Sequence, residues 1–132
     1  MSNIDTVKAM YEAFGRGDVP AILEHLDENV EWDTQYESPA AAPWLEPRRG
    51  KANILGFFEA VATMGITKFE PFFFGEDGDR VVAVIHIEAD LKGKHYVIPN
   101  EGHLWTFGKD GKVTSYQHMV DTSVHWQMAN AK

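Results

Sequence analysis

The hydrophobic pattern of this chain changes near residue 65, from a helical spacing of three to four residues to the alternation typical of strands. The apolar face of the first predicted helix consists of Ile4, Val7, Tyr11 and Phe14. Gly15 and Gly17 end this helix, because glycine adopts the left-handed geometry of a helix C-terminus without strain. A chain with helices first and long strands afterwards has to pack one sheet against those helices.

Two further helices and one strand are predicted in the first half of the chain. Asp18 is typical of an N-cap, and Pro20 fits the first turn of the helix that follows it. Residues 30–33 predict a short strand, and residues 51–64 predict a third helix. Between them, residues 38–49 contain Pro39, Pro43 and Pro47 and predict a long loop, which in a small domain often forms a pocket wall or lid.

Four long strands are predicted after residue 65, at residues 66–74, 81–91, 95–107 and 112–121. Turns with glycine at residues 75–79, 92–94 and 108–111 separate them, and residues 123–129 predict a short helical tail. Pro71, Pro99 and Gly102 lie inside strands, where they indicate bends or bulges. We therefore expect one α+β domain over residues 1–132, with three N-terminal helices packed on a strongly curved, mostly antiparallel sheet.

The bulk composition narrows the classes of function. A net charge of -8 repels phosphates and anionic lipids, so we expect no nucleic-acid or membrane partner. The chain has no cysteine, which excludes disulfides, thiolate nucleophiles and cysteine-based zinc sites. Its start is unlike a signal peptide, and no apolar run approaches the roughly 20 residues that span a bilayer, which favours a cytoplasmic location. Phosphate-loop and dinucleotide motifs are missing, so redox and phosphoryl-transfer chemistry has no support in the sequence.

Four segments form a pattern that covers nearly the whole chain. They are Tyr11–Asp18 with Ala21–Leu23, Asn29–Trp32, Arg49–Ile54 before Phe57 and Phe58, and His103–Phe107 followed by Asp110–Val113 and Val120–Thr122. This pattern resembles the NTF2-like superfamily, in particular its SnoaL-like and ketosteroid-isomerase-like branch. The resemblance implies a cone-shaped fold with one small-molecule pocket between the helices and the concave face of the sheet. It also implies activity without a cofactor and a homodimer formed through the outer sheet face.

Ketosteroid isomerases use a tyrosine and a protonated aspartic acid as an oxyanion hole and a second aspartate as the base. By resemblance, Tyr11 corresponds to the tyrosine and His103 to the proton-donating acid. The position of the base falls on Trp32, which is not a carboxylate. Asp33 is next to it and is a reserve candidate for the base, although strand alternation is expected to turn it to the other face. The steroid isomerase mechanism is therefore not carried over unchanged.

The predicted catalytic residues are His103 as base or donor, Tyr11 as the group that polarises a ligand oxygen, and Asp33 in reserve. His103 shares a strand face with aromatic residues, and His118 on the next strand is in phase with Tyr116 and Val120. The predicted ligand-binding residues are Trp32, Phe58, Trp105, Tyr116, His118 and Val120. Two histidines and a carboxylate could also hold a metal, but no tight ligand motif is present, and no metal site is predicted.

Other polar residues have simpler explanations. His25, His95 and His125 are expected at the surface, and His86, Glu88 and Asp90 are expected to face solvent or a partner subunit. Arg48 and Arg49 either clamp a ligand carboxylate or form a surface pair. Asp121 is expected to make a structural hydrogen bond near the end of the chain.

The preferred hypothesis is a cofactor-independent isomerase, cyclase or hydratase that acts on an apolar carbonyl compound or polycyclic ligand by acid–base chemistry. A non-catalytic ligand carrier or sensor is the first alternative, because the base carboxylate is missing. A dimeric interaction module is the second, with an outer face that includes His86, Glu88, Gln117 and Met119.

Overall fold

The computed structural model of this chain describes residues 2–35 and 42–131. Its α-helices are α1 (Asn3–Gly15), α2 (Val19–Leu23), α3 (Leu55–Val61) and α4 (Thr122–Ala129). Its strands are β1 (Leu26–Trp32), β2 (Arg48–Arg49), β3 (Ile66–Asp77), β4 (Arg80–Leu91), β5 (Lys94–Phe107) and β6 (Val113–Met119). Short 3-10 turns at Pro43–Leu45, Lys51–Asn53 and Ala62–Met64 complete the regular structure.

The six strands form one sheet in the order β2-β1-β6-β5-β4-β3. β1 runs parallel to β6, and the other neighbouring pairs are antiparallel. The first strand therefore lies beside the last one. This pairing connects the antiparallel strands β3 to β6 with the N-terminal part of the chain. The α+β, NTF2-like cone that the sequence predicts is confirmed, with α4 as a helix in addition to the three N-terminal ones.

Helix ends follow the signals in the sequence. The Ser2 side chain accepts a hydrogen bond from the Asp5 N–H and forms a capping box with it, so α1 begins at Asn3. Asp18 caps α2 by accepting from the N–H of Ala21, as predicted. Asp121 caps α4 by accepting from the N–H groups of Ser123 and Val124, which is the structural role expected of it.

Several boundaries differ from the sequence prediction. β1 begins at Leu26 rather than at residue 30, and the third helix is shortened to Leu55–Val61 by 3-10 turns on both sides. The turn predicted at residues 75–79 is wrong for most of its length, because β3 continues to Asp77. Its tight part is at Gly78, which has the positive φ of 61° that favours glycine.

Irregular pairing bends the sheet at the places where proline occurs. β3 is an edge strand, and its register to β4 shifts between Pro71 and Phe73, in agreement with the expected edge position or bulge. A second shift lies between Ile85 and Ile87, opposite the Pro99 region of β5. These bends curve the sheet toward the helices, and a cavity remains on the concave side.

The outer face of the sheet carries more polar side chains. On β4, Ile85 and Ile87 are buried, whereas His86 and Glu88 between them are half-exposed. Met119 on β6 is 42% exposed. This is the face through which a homodimer is predicted, and dimerisation through it stays a prediction. Among the described residues, no helix combines the length and the apolar character needed to cross a membrane.

Candidate functional site

One cavity lies between helices α1 and α3 and the concave face of the sheet. Its volume, including the open space at its mouth, is about 580 Å³. The aromatic side chains that line it are Tyr11, Phe14, Trp32, Trp44, Phe57, Phe58, Phe69, Trp105 and Tyr116. The ionisable side chains that line it are Tyr11, Tyr116, Glu101, His103, His118 and His125. An apolar cavity with a few converging polar groups is the usual form of a small-molecule site.

Hydrogen bonds connect the first set of polar side chains on this wall, and we call this set the Glu101 chain. Its members are Trp105, Tyr11, His103, Glu101, His125 and Trp44. His103 and Glu101 are two residues apart on β5, so both side chains point into the concave side. His103 Nε2 lies 2.8 Å from a Glu101 carboxylate oxygen, and its Nδ1 lies 2.7 Å from the Tyr11 hydroxyl. The Tyr11 oxygen also accepts a hydrogen bond of 3.0 Å from Nε1–H of Trp105.

The Glu101 chain continues in the other direction to helix α4. The second carboxylate oxygen of Glu101 lies 2.9 Å from Nε2 of His125. Nδ1 of His125 accepts a hydrogen bond of 2.7 Å from Nε1–H of Trp44, in the 3-10 turn before β2. The chain therefore ties α1, β5 and α4 to the segment that follows the proline-rich loop, whose residues 36–41 lie outside the described part.

Burial and hydrogen bonding determine the charges in this chain. Burial alone would raise the pKa of Glu101, but hydrogen bonds from His103 and His125 lower it well below its usual value of 4.5. Burial lowers the pKa of His103 below 6.5, although the Glu101 carboxylate opposes this effect. Burial also raises the pKa of Tyr11 far above 10.0. At neutral pH the Glu101 chain therefore holds the carboxylate of Glu101, the neutral imidazole of His103 and the neutral phenol of Tyr11.

The second polar group consists of Asp33, His118 and Tyr116, and we call it the Asp33 chain. One carboxylate oxygen of Asp33 lies 2.7 Å from Nδ1 of His118, and the other accepts the backbone N–H of His118, also at 2.7 Å. Nε2 of His118 lies 3.1 Å from the Tyr116 hydroxyl. Because the carboxylate accepts the Nδ1 proton, Nε2 of a neutral His118 has the lone pair of a base.

The expectation that Asp33 turns to the other face is wrong. β1 ends at Trp32, and Asp33 has a positive φ of 57°, so strand alternation does not apply to it. Its side chain is fully buried and reaches β6. Asp33 is absent from the residues that line the cavity, and it contacts the cavity through His118.

The Glu101 chain and the Asp33 chain of hydrogen bonds come together on the cavity wall. β5 and β6 pair antiparallel with His103 directly opposite His118, and the centres of their rings lie 5.1 Å apart. Ligand atoms of Glu101, His103 and His118 lie within 4.8 Å of one another, which would suit a metal by residue type. However, both oxygens of Glu101 and both nitrogens of each of the two histidines are already in hydrogen bonds within the protein. A metal at this position would have to replace these hydrogen bonds.

The other predicted ligand-binding residues fall mostly on the cavity wall. Trp32, Phe58, Trp105, Tyr116 and His118 line it. Val120 lies beyond the end of β6 and does not line it. Nε1–H of Trp32 is a buried donor without a hydrogen-bond acceptor in the described part of the chain, so an acceptor atom of a ligand could pair with it.

Sequence reasoning missed half of the Glu101 chain. His125 was expected at the surface, but it is 1% exposed because α4 folds back and packs its inner face on the core. Glu101 is not among the predicted site residues, although its position two residues before His103 on one strand indicates the same face of the sheet. Trp44 had no such signal beyond its aromatic character.

Arg48 and Arg49 do not line the cavity. Arg49 pairs with Glu31 on the neighbouring strand, and Arg48 lies 3.8 Å from Glu46. This geometry agrees with the surface-pair explanation for Arg49, whose side chain is 69% exposed, rather than with a clamp for a ligand.

Several solved structures are similar to this chain over its full length. An NTF2-like protein of unknown function from Burkholderia pseudomallei is 26% identical, with 99% of this chain and 100% of the other covered and a TM-score of 0.84. TerC, crystallised with polyporic acid, is 28% identical, with 98% of each chain covered and a TM-score of 0.77. A candidate polyketide cyclase from Pseudomonas putida is 22% identical, with 98% of each chain covered and a TM-score of 0.72, and at this identity it shows the fold alone.

A search of curated proteins gives no significant match. The sequence profile of the SnoaL-like domain matches residues 7–116, which is most of the chain, from within α1 to within β6. Profile and fold agree with each other, and this chain therefore belongs to the SnoaL-like domain family, with the NTF2-like fold.

Proposed function

We propose that this protein is an acid–base enzyme that works without a cofactor on an apolar carbonyl compound or polycyclic ligand, as an isomerase, cyclase or hydratase. The observation that carries the proposal is the pair of carboxylate–imidazole–phenol chains on one wall of an aromatic cavity. Reactions that pass through an enol or enolate need one group to take a proton from carbon and another to manage the charge on oxygen.

His118 is the proposed general base. Asp33 orients the ring through Nδ1, and its other oxygen accepts the backbone N–H of the same residue, which holds the carboxylate in place. A ligand carbon bearing an acidic proton would approach Nε2 by displacing the Tyr116 hydroxyl, whose contact of 3.1 Å is the longest in either chain. Hydrogen bonds of catalytic groups commonly rearrange when substrate binds. The Asp33 carboxylate then stabilises the imidazolium that forms.

Tyr11 and His103 are the proposed groups for the ligand oxygen. Tyr11 lies in a cavity wall that consists mainly of aromatic rings. Few water molecules therefore act on a charge that develops on a ligand oxygen there. In such a water-poor site, a hydrogen bond between Tyr11 and a ligand oxygen is stronger than in water. His103 exchanges a proton with Tyr11 through Nδ1, and the Glu101 carboxylate compensates the charge when His103 is protonated.

The similarity to TerC supports binding of a small molecule in this cavity. TerC was crystallised with polyporic acid, and it aligns with 98% of this chain. The apolar lining of the cavity agrees with a ligand of low polarity.

The experiment measures exchange of carbon-bound hydrogen for deuterium in an enolisable bicyclic ketone, 2-tetralone, by NMR in D₂O. The wild-type protein should accelerate exchange at the carbon next to the carbonyl. His118→Ala and His103→Ala should each lower the rate by about 100-fold or more, since general acid–base groups contribute roughly 10²- to 10⁴-fold.

His86→Ala is the matched control, because it removes an imidazole from the outer face of the same sheet. It should leave the exchange rate unchanged. Tight binding of 2-tetralone or polyporic acid without any exchange would contradict the enzyme and favour the alternative of a carrier or sensor.

A further inference from the structure

The Glu101 chain has a tryptophan indole at each end. Trp44 donates to His125 at one end, and Trp105 donates to Tyr11 at the other. An indole N–H can donate a hydrogen bond but cannot accept one. The Glu101 carboxylate between the two indoles can only accept, so each hydrogen bond from Trp44 to Tyr11 has one direction.

The direction can be followed from the Trp44 end. Nδ1 of His125 accepts from Trp44, so the proton of a neutral His125 is on Nε2. This Nε2–H donates to one oxygen of the Glu101 carboxylate. The other carboxylate oxygen can only accept as well, which places the proton of a neutral His103 on Nε2 and the lone pair on Nδ1.

The direction of the last hydrogen bond leaves Tyr11 as a donor to His103. The Tyr11 hydroxyl is 2.7 Å from the Nδ1 lone pair of His103, so it donates its proton there. Its oxygen accepts from Trp105. In this state Tyr11 has no proton left for a ligand, and its oxygen can interact with a ligand only as an acceptor. The lowered pKa of His103 favours the neutral imidazole on which this assignment depends.

We propose that the ligand of this cavity carries an enolic or phenolic hydroxyl group that donates a hydrogen bond to the Tyr11 oxygen. The inference rests on the proposed function, since it concerns the same cavity, and it replaces the expectation that Tyr11 donates to a carbonyl. The proton has a route onward: it moves to the Tyr11 oxygen while the proton of Tyr11 moves to Nδ1 of His103. The ligand becomes an anion, and the imidazolium pairs with the Glu101 carboxylate.

The test compares three naphthalene probes by isothermal titration calorimetry at pH 7. 2-Naphthol has the hydroxyl donor, whereas 2-methoxynaphthalene and 2-acetylnaphthalene have only acceptors. The wild-type protein should bind 2-naphthol about 3- to 10-fold more tightly than either of the others, which is the usual net contribution of one hydrogen bond.

Glu101→Gln should reverse this preference. The glutamine carbonyl has to accept from Nε2–H of His125, so its NH₂ group faces His103 and donates to Nε2. The His103 proton then moves to Nδ1 and donates to the Tyr11 oxygen, which frees the Tyr11 proton for a ligand. The variant should therefore bind 2-acetylnaphthalene at least as tightly as 2-naphthol.

Tyr11→Phe is the matched control, and it should abolish the preference for the hydroxyl probe. The preference would have another origin if it survived in this variant, and the proposal would be wrong. Equal binding of the three probes by the wild type, or no binding at millimolar concentration, would also overturn it. As a measurement that needs no variant, ¹⁵N NMR of the wild type should show His103 with a protonated Nε2 and an unprotonated Nδ1, and the reverse assignment would refute the proposal.

The outcomes separate this inference from the proposed function. Exchange of 2-tetralone protons with no preference for 2-naphthol would support the acid–base enzyme and contradict the proposal of a hydroxyl-bearing ligand. A preference for 2-naphthol that Glu101→Gln reverses, without exchange of any ketone, would support the ligand class and contradict the enzyme.

Discussion

Histidine and carboxylate side chains form a cluster on each face of this sheet, and the two clusters consist of the same residue types. The inner cluster comprises Asp33, Glu101, His103, His118 and His125. The outer cluster comprises His86, Glu88, Asp90 and His95. Their hydrogen-bond lengths are similar, at 2.7–2.9 Å between imidazole and carboxylate inside and 2.6–2.9 Å outside. The difference between them is their access to water.

The pKa of a histidine beside a carboxylate shifts in opposite directions in the two clusters, because only the outer cluster is open to water. Outside, hydrogen bonds to Asp90 and Glu88 raise the pKa of His95, whose side chain is 49% exposed. Inside, burial lowers the pKa of His103, whose side chain is 5% exposed, although Glu101 is in contact with it. The same pair of groups thus favours imidazolium at the surface and neutral imidazole in the cavity. The proposed acid–base role depends on the neutral imidazole of the inner pair, which can take up a proton.

The largest contrast is expected in stability. Glu101→Ala should lower the free energy of unfolding by about 3 kcal/mol, because the N–H groups of two buried imidazoles lose their acceptor. Glu88→Ala removes a carboxylate with two histidine partners as well, but water replaces the lost hydrogen bonds, so its effect should be much smaller. Urea unfolding monitored by tryptophan fluorescence measures both. Equal losses would mean that burial does not distinguish the two clusters.

Opposite responses to pH are the next expected difference. Because the folded-state pKa of His95 is raised, its contribution to stability is complete below 6.5 and is lost as the pH rises through the folded value. Because the pKa of His103 is lowered, the unfolded chain binds a proton first, and stability falls as the pH drops below 6.5.

Urea unfolding at pH 7.5 and 5.5 tests these signs. The stability difference between the wild type and His95→Gln should be larger at pH 5.5. The difference between the wild type and His103→Gln should be larger at pH 7.5. A change in the same direction for both variants would contradict the comparison.

The sequence predicts the outer cluster better than the inner one, for a physical reason. His86 and Glu88 alternate with apolar residues on one strand, so a local period of two was enough to place them outside. The α+β order, the caps and the bends at Pro71 follow from equally local signals. Local patterns of this kind account for most of the fold.

The inner cluster depends on contacts between residues far apart in the chain. Tyr11 is 92 residues from His103, and Asp33 is 85 residues from His118. The period of β5 places His103 inside, but no local pattern shows that Asp33 leaves the strand geometry or that α4 buries His125. The tautomers in the Glu101 chain follow from the carboxylate that lies between His103 and His125, and no local pattern brings His125 to it.

The smallest expected difference concerns salt, and it separates the two clusters without any substitution. The Debye length falls from about 10 Å at 0.1 M to about 3 Å at 1 M, so ions reach and screen exposed charges. The pKa of His95 should therefore move back toward 6.5 in 1 M NaCl when it is followed by NMR. The pKa of His103 should change less, because the protein surrounds it and its nearest charge, on Glu101, is buried with it. If salt shifted the pKa of both residues equally, water would have access to the cavity wall, and the dry environment on which the acid–base proposal depends would be lost.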